Sequence, residues 1–391
     1  MDGMGSGRRD HFWDAARALL MILGIPYHVA LAYRPGQEWI VVSREGTAFF
    51  NYLAEFLHLF RMPAFFLIAG YFAALLLARR EPVAWLRARL VRLGVPLVAA
   101  MLILVPPMNM AAELSNLSAV DALASWRQSS ATSGGYWVRH LWFIIVLLYC
   151  SAIAAAILSW RPGWRWALVE SRMDGGVAQH FPFVLAGVAV LLGLWEAGAV
   201  ELFYKMGLAT NLPQQVLRLD EFIIYAPWFL LGCLIQRSPA VLDRMTRPSI
   251  AVALLAVVAT GVSLWYLGRL SPPTGRFVAT IASLALAQCV FAGARAFLDR
   301  PIPLVQRLVA ASFTIYLVHM PIVVTLVWLG QSVSMPVALK AAAIMLLTLA
   351  LSYGFWMIVE RSPLLTFLFD GRVSKPAPST KGNLQHRHRT A

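Results

Sequence analysis

Long apolar segments alternate with short polar connections along almost the whole chain. A helix needs about 20 apolar residues to cross the roughly 30 Å hydrocarbon core of a bilayer. We therefore predict an all-α fold, a polytopic membrane helix bundle of about ten transmembrane helices. The predicted spans lie near residues 13–33, 48–78, 93–112, 138–160, 181–203, 220–236, 248–268, 277–296, 305–330 and 337–360.

The composition agrees with a chain that lies in a lipid bilayer. Of its 391 residues, 59% are hydrophobic and 13% are charged, whereas soluble domains average about 25% charged residues. No small-residue cleavage site follows the first apolar segment, so we interpret it as a span and not as a signal peptide. Cys150, Cys233 and Cys289 lie in apolar segments without the spacing of a metal site. We predict that they are packing residues that form neither a disulfide nor a metal site.

The basic residues predict the orientation of the chain. Of its 33 Lys and Arg residues, 23 lie in one alternating set of connections and 9 in the other, while Arg61 lies within a span. Connections rich in Lys and Arg remain in the cytoplasm. We therefore predict a multi-pass protein of the bacterial inner membrane with both termini cytoplasmic. The net charge of +14 is dispersed over many loops, which argues against nucleic-acid binding.

No soluble domain interrupts the spans, so we assign residues 1–372 to one transmembrane domain. Residues 373–391 are rich in Pro, Ser, Lys and His and are predicted to form a disordered cytoplasmic tail. The longest outer connection, 113–137, is polar and is a candidate cover for a site. The sequence contains no GxGxxG motif, phosphate-binding loop or internal repeat.

Three ionisable residues lie on one face of the first predicted span. Arg17 and His28 are 11 residues apart, about three helical turns, and Asp14 lies one turn before Arg17. Such groups are costly in hydrocarbon and normally face a bundle interior or a cavity, which makes them candidates for function. The alternative is a charged anchor at the membrane interface together with a structural, hydrogen-bonded histidine.

Further polar residues occur at a similar depth in two other spans. His58 and Arg61 lie at positions i and i+3 of the second span, about 12 and 17 Å below its outer boundary. His28 and His319 each lie about 22 Å from the inner boundary of their spans. We predict that these four side chains face one cavity in the outer half of the bilayer. Separations greater than about 10–12 Å, one helix diameter, would contradict this prediction.

The arginine pair of the third span and the histidine at the start of the fourth span each have two interpretations, one as site residues and one as residues typical of a membrane interface. Arg89 and Arg92 lie at the inner start of the third span and suit a polyanionic ligand, because arginine matches phosphate geometry and stays charged. The same residues also fit the usual excess of basic residues on the cytoplasmic side. His140, at the outer start of the fourth span, is either a site residue or an interfacial histidine beside an aromatic belt.

Six short segments with polar and small residues occur in a fixed order along nearly the whole chain. They are Asp14-Ala-Ala-Arg17, Leu-Gly-Ile-Pro-Tyr-His28, His58-Leu-Phe-Arg61-Met-Pro-Ala-Phe-Phe-Leu-Ile-Ala-Gly70-Tyr-Phe, Arg89-Leu-Val-Arg92-Leu-Gly-Val-Pro, His140-Leu-Trp142-Phe and Tyr316-Leu-Val-His319-Met-Pro. Together they resemble the integral-membrane acyltransferase-3 family, and within it the branch of periplasmic glucan succinyltransferases. One departure is Ala69-Gly70, where the family commonly has Ser-Gly, so no hydroxyl role carries over to that position.

The resemblance implies O-acyl transfer across the membrane. The donor would be a cytoplasmic acyl-CoA, either succinyl-CoA or acetyl-CoA, which acts as a substrate and not as a tightly bound cofactor. The acceptor would be a hydroxyl group of a periplasmic glucan or another glycan. Two alternatives are an O-acetyltransferase of another envelope or exported polysaccharide and a secondary transporter without covalent chemistry. A transporter should contain internal repeats.

The resemblance also implies roles for individual residues. His28 is the expected catalytic residue. Asp14 and Arg17 are grouped with it, because they can order the inner half of the path through the membrane. Arg89 and Arg92 are expected to bind the donor. The residues assigned to substrate binding are His58, Arg61, His140, Trp142 and His319. The chemistry fits, because a neutral imidazole can take a proton from a hydroxyl or carry the acyl group, and Arg61 can bind a carboxylate or an oxyanion.

Overall fold

The computed structural model describes residues 11–165, 172–207 and 212–372, and within these ranges the chain is helical without a strand. The predicted tail at 373–391 lies outside the described residues. The helices of the first half are α1 His11–Ile22, α2 Gly24–Ala32, α3 Ala48–Leu77, α4 Pro82–Ile103, α5 Val105–Leu114, α6 Ala119–Thr132, α7 Gly135–Val138, α8 Trp142–Trp160 and α9 Arg172–Gln179. Those of the second half are α10 Phe181–Trp195, α11 Glu201–Lys205, α12 Leu212–Leu217, α13 Leu219–Gln236, α14 Pro239–Met245, α15 Ile250–Trp265, α16 Pro272–Leu298, α17 Pro303–Gly330, α18 Val337–Arg361 and α19 Pro363–Asp370.

The predicted bundle of about ten membrane-spanning helices is confirmed. In the described part of the chain, nine helical segments are long and apolar enough to cross a bilayer. A tenth arises if α14 and α15 are counted as one span, which is bent by 62°. The 16 residues of α15 reach only about 24 Å, so this helix alone is shorter than the hydrocarbon core.

Helix α3 carries His58 and Arg61 and packs closely against α13. A Cβ atom at Gly70 would lie 1.9 Å from the carbonyl oxygen of Phe229, and one at Gly232 would lie 1.9 Å from that of Leu67. Both glycines are therefore required for the two backbones to approach, as small residues are at many membrane helix contacts. The Gly70 position of the family-like segment thus has a packing role.

The first span is interrupted at Leu23, between α1 and α2. Pro26 lies in the first turn of α2, where its missing N–H costs little. Gly24 begins α2, and a Cβ atom there would lie 3.2 Å from His319 Nε2 and 3.3 Å from Arg61 Nη1. The interruption thus lies where the polar side chains of α3 and α17 approach the first span.

The long connection at 113–137 is folded onto the bundle and includes helix α6. The indole of Trp126 donates a hydrogen bond to the carbonyl oxygen of Pro106 (3.1 Å), and the hydroxyl of Tyr136 donates one to Glu113 (2.9 Å). These bonds tie the connection to α5.

The orientation remains a prediction, which reporter fusions can test. Fusions placed after Arg80 and after Arg165 should report a cytoplasmic position, and a fusion near Ser125 should report a periplasmic one. This outcome follows from the uneven distribution of Lys and Arg between the two sets of connections. A periplasmic signal after Arg80 would contradict the predicted topology.

Candidate active site

Two cavities enter the bundle from opposite ends and share no lining residue. The first, here called the histidine cavity, has a volume of about 540 Å³ and is lined by Tyr27, His28, Arg34, Trp39, Glu55, His58, Arg61, Arg139, His140, Trp142, Arg218, Glu221 and Tyr316, among others. The second, here called the arginine cavity, has a volume of about 510 Å³ and is lined by His11, Asp14, Arg17, Phe65, Arg89, Arg92, Phe143, Arg300, Phe313 and Arg372, among others.

Four histidines form a continuous chain of rings with Tyr27. The ring of His28 lies 5.2 Å from that of His319, which lies 5.6 Å from that of His140, measured between centroids. On the other side, Tyr27 lies 5.0 Å from His28 and 6.0 Å from His58. His28, His58 and His140 line the histidine cavity, whereas His319 is buried behind His28.

Arg61 completes the cluster and is buried without an acidic partner among the described residues. Its guanidinium carbon lies 4.6 Å from the centroid of the Tyr27 ring, which provides a cation–π contact. Its Nε has no hydrogen-bond partner. Of the four side chains predicted to face one cavity, His28, His58 and Arg61 line it, whereas His319 contacts the His28 ring without lining the cavity. A buried, unpaired guanidinium in a cavity wall is suited to bind an anionic group of a substrate.

The histidines differ in what holds their ring nitrogens. His319 Nδ1 lies 2.6 Å from the carbonyl oxygen of Tyr316, and His140 Nε2 lies 3.2 Å from that of Leu317. A carbonyl oxygen only accepts, so each of these nitrogens carries its proton and the tautomer is fixed. His28 has no such bond at Nδ1, which is buried without a partner. Of these three histidines, His28 combines a place in the cavity wall with two ring nitrogens that form no backbone hydrogen bond within the described ranges, whereas His140 is held through Nε2 and His319 through Nδ1.

Aromatic side chains form much of the wall around His28. The indole of Trp39 is stacked on the His28 ring at 5.7 Å, with an angle of 17° between the planes. Trp142 is stacked in the same way on Tyr225 at 5.5 Å. The predicted site residue Trp142 therefore lies where expected. Trp39 was missed, because an aromatic residue in a polar loop has no helical periodicity that would place it.

The loop that carries Trp39 is attached to distant helices. Lys340 of α18 is buried and forms an ion pair with Glu45 at 2.6 Å. Gln331 donates a hydrogen bond to the carbonyl oxygen of Val42 at 3.4 Å. These contacts hold the loop over the histidine cavity and so fix the indole of Trp39 beside His28.

Two ion pairs in the wall were also missed by sequence reasoning. Arg34 lies 3.8 Å from Glu55, and Arg218 lies 2.5 Å from Glu221. Charged residues near the ends of spans are ordinary in membrane proteins, so the sequence offers no signal that these four residues meet around one cavity. Their donors and acceptors are suited to bind hydroxyl groups of a sugar.

Asp14 and Arg17, which are grouped with His28 on one helix face, lie in the other cavity, and their role stays a prediction. Both residues line the arginine cavity, where their side chains form an ion pair of 3.3 Å, and they do not line the cavity of His28. Arg17 and His28 are 11 residues apart, about 16 Å along the span, which is far enough for one helix face to reach two cavities. Asp14 and Arg17 therefore lie on the side of Arg89 and Arg92.

The predicted donor residues Arg89 and Arg92 both line the arginine cavity. Arg89 Nε donates to the hydroxyl of Ser151 at 3.2 Å, and Arg92 forms an ion pair with Asp370 of α19 at 3.0 Å. Arg300 and Arg372 add further positive charge to the same wall. No sequence pattern groups these two with α4, because they follow α16 and α19.

Three aromatic rings separate the cavities, and we call them the aromatic partition. Phe65 and Phe143 line the arginine cavity, and Tyr316 lines the histidine cavity. The ring of Phe143 lies 4.6 Å from that of Phe65 and 5.5 Å from that of Tyr316. All three residues are buried, so the boundary between the cavities is closely packed.

No group of three His, Cys, Asp or Glu residues in the described part of the chain has an arrangement that could hold a metal ion. The three cysteines are unpaired.

The chain is similar to known proteins over most of its length. The model of a family described as "Acyltransferase domain" matches residues 10–357. "Glucans biosynthesis protein C" of Salmonella typhimurium is 26% identical over 401 residues, which cover 96% of this chain and 98% of the relative. The protein of the same name from Salmonella typhi is 26% identical over 389 residues, which cover 93% of this chain and 95% of the relative. No solved structure matches the chain significantly.

Proposed function

The chain belongs to this acyltransferase family, and from that premise we propose that it transfers a succinyl group from succinyl-CoA to hydroxyl groups of a periplasmic glucan. The observation that carries the proposal is the division of the polar residues between two cavities. One is rich in arginine and the other contains the histidine cluster. Such an arrangement suits a donor and an acceptor that approach from opposite sides of a membrane.

The arginine cavity has the charge that a nucleotide donor requires. Its lining includes five arginines and Asp14; the five are Arg17, Arg89, Arg92, Arg300 and Arg372. Guanidinium groups bind phosphate in a planar, bidentate geometry and remain charged near neutral pH. We assign this cavity to the phosphates and the nucleotide of acyl-CoA, which leaves the thioester arm to extend towards the aromatic partition.

In the proposed reaction His28 acts as a general base. Its imidazole takes the proton from the acceptor hydroxyl, and the oxygen attacks the thioester carbonyl carbon. The C–S bond then breaks, an ester C–O bond remains, and the thiolate of CoA receives the proton from His28. A transient acyl-histidine, formed by attack of the imidazole and resolved by the hydroxyl, gives the same products.

Arg61 supports the choice of a succinyl group. Its guanidinium is buried, has no acidic partner among the described residues and lies in the cavity wall near His28. The free carboxylate of a succinyl group would provide the missing negative charge. For an acetyl group, which has no carboxylate, the same guanidinium would instead stabilise the oxyanion of the tetrahedral intermediate.

The acceptor side is suited to a sugar. Trp39, Trp142 and Tyr27 offer aromatic faces, and the ion pairs Arg34–Glu55 and Arg218–Glu221 offer hydrogen-bond donors and acceptors. The name of the relatives refers to glucans, which supports a glucan as the acceptor here. The second candidate is an O-acetyltransferase of another envelope polysaccharide, for which the same walls would serve.

Mass spectrometry of cell-envelope glycans, with and without the gene, tests the proposal directly. Loss of the gene should remove a succinyl mass from periplasmic glucan. The full-length protein in proteoliposomes, given labelled succinyl-CoA and glucan, should produce labelled glucan, and labelled acetyl-CoA should be the poorer donor. Loss of an acetyl mass would favour the second candidate. Passage of glycan without any covalent change would overturn acyl transfer and indicate a transporter.

A further inference from the structure

A third cavity lies away from both parts of the proposed site. It has a volume of about 560 Å³ and lies between α10, α15 and α16. Helices α10 and α15 both pack against α16. The wall of the groove is mostly apolar, with Leu185 and Ala189 from α10, Val252 and Leu255 from α15, and Leu284 from α16.

One end of the groove is positively charged. Arg244 and Arg247 line it there. Arg247 forms an ion pair with Asp243 at 2.5 Å, but that aspartate also pairs with Arg295 at 3.0 Å. Within the described ranges Arg244 has no ion pair. The carboxylate of Asp243 is therefore shared by Arg247 and Arg295, and no carboxylate among the described residues neutralises the charge of Arg244.

The N-terminus of α15 lies at the same end. Ser249 lines the groove and caps this helix, its hydroxyl accepting a hydrogen bond from the Val252 N–H at 3.4 Å. The positive end of the helix dipole therefore adds to the charge of the two arginines and favours an anion.

Inside the groove lies a polar side chain that is not satisfied by the protein. Gln288 of α16 lines the cavity, is 2% exposed, and its Oε1 has no hydrogen-bond partner. A buried amide without a partner is costly in an apolar environment. Gln288 is seven residues from Arg295, which corresponds to about 10 Å along α16. Rotation about the last side-chain bond exchanges its N–H groups with its carbonyl oxygen, so it can serve donors or acceptors.

We propose that this groove binds an anionic phospholipid. The phosphate lies against Arg244 and Arg247, the polar glycerol region reaches Gln288, and an acyl chain fills the space between Leu185, Val252 and Leu255. The groove combines a cationic end with an apolar wall that contains one buried amide, and a phospholipid offers a phosphate, polar ester groups and apolar chains to these three features. A soluble phosphate compound would use the arginines but leave the apolar wall empty.

Native mass spectrometry of the full-length protein in detergent tests this assignment. Dioleoyl phosphatidylglycerol should be retained in preference to dioleoyl phosphatidylcholine. Replacing both arginines (Arg244→Gln/Arg247→Gln) should weaken retention at least about tenfold, since each basic residue near an anionic lipid contributes about a fivefold factor. The matched control is Arg79→Gln/Arg80→Gln, two exposed arginines that do not line the groove.

A second pair of variants tests the apolar wall. Leu255→Trp should fill the groove and reduce lipid retention, whereas Leu254→Trp, exposed on the same helix and outside the groove lining, should not. Equal retention of the two lipids, unchanged retention in the Arg244→Gln/Arg247→Gln protein, or an equal loss in either control would overturn the proposal. Displacement of the lipid by inorganic phosphate alone would also overturn it, because it would indicate an anion site without a lipid groove.

Discussion

Replacing His28 with alanine is expected to slow acyl transfer by about 10²–10⁴-fold, the usual cost of losing a positioned base. The protein should still insert in the membrane, because His28 lies in a cavity wall and its Nδ1 forms no hydrogen bond with the rest of the bundle. The rate is measured with the full-length protein in proteoliposomes, labelled donor and purified glucan, and is divided by the amount of inserted protein.

His319 and His58 provide the comparison for this experiment. His319→Ala removes a buried ring that is bonded to the Tyr316 carbonyl, so it should mainly reduce protein yield, with a smaller effect on the rate per molecule. His58→Ala removes a ring whose Nδ1 is 3.4 Å from the hydroxyl of Tyr27 and tests the nearest rival base. If the His28→Ala protein inserts normally and transfers at close to the original rate, the assignment is wrong, and His58 is the next candidate.

Replacing Arg89 and Arg92 together with glutamine is expected to weaken acyl-CoA binding by at least about tenfold. Hydrogen bonds to charged groups contribute about 1.5–3 kcal/mol each, and each 1.4 kcal/mol is a factor of ten in affinity. Membrane insertion should be preserved, because Arg89 and Arg92 are only partly buried and line an open cavity. Equilibrium binding of labelled acyl-CoA to the purified protein measures the effect.

Arg92 also holds helix α19 through Asp370, so a structural effect must be separated from loss of donor binding. Asp370→Asn breaks this ion pair and that of Arg372 with the same carboxylate, but leaves both arginines in place, so it should affect acyl-CoA affinity much less. A succinyl-pantetheine thioester, which lacks the nucleotide, should bind the original protein and the Arg89→Gln/Arg92→Gln protein alike. Unchanged acyl-CoA affinity in the latter would refute the assignment of the arginine cavity to the donor.

Much of the fold follows from the sequence, because hydrocarbon imposes a simple rule on segment length. Apolar runs near 20 residues predict the spans, and the structure has helices at those positions. The predicted span at 248–268 differs from the others, because the structure has no single straight helix of that length there. Its helix α15 is only 16 residues long and is joined to α14 through a bend, which no hydropathy pattern reveals.

The candidate site was predicted only in part, for a physical reason. The depth of a residue along a helix follows from its position in the chain, so the proximity of His28, Arg61 and His319 could be anticipated. Which residues share a cavity depends on neighbouring helices. For that reason the helix face shared by Asp14, Arg17 and His28 did not reveal that the first two line the arginine cavity and His28 the histidine cavity. The roles of all these residues stay predictions until the experiments above are done.

Trp39 illustrates the second limit of sequence reasoning. It lies in a loop, and its position beside His28 depends on contacts with α17 and α18, nearly three hundred residues away in the chain. Pairings between such distant segments leave no periodic signal in a single sequence. The same holds for Arg300 and Arg372, which reach the arginine cavity from the far end of the chain.

The aromatic partition has a consequence for the energy economy of the cell. A bacterium stores free energy as a difference in proton concentration and voltage across its membrane, and a continuous water path through any abundant protein would discharge it. Phe65, Phe143 and Tyr316 are packed where the two cavities come closest, and the cavities share no lining residue. Rings in contact oppose a chain of water molecules at this point. The resting protein can thus keep its two cavities unconnected, and the partition has to part only while the acyl group of a bound donor passes to His28.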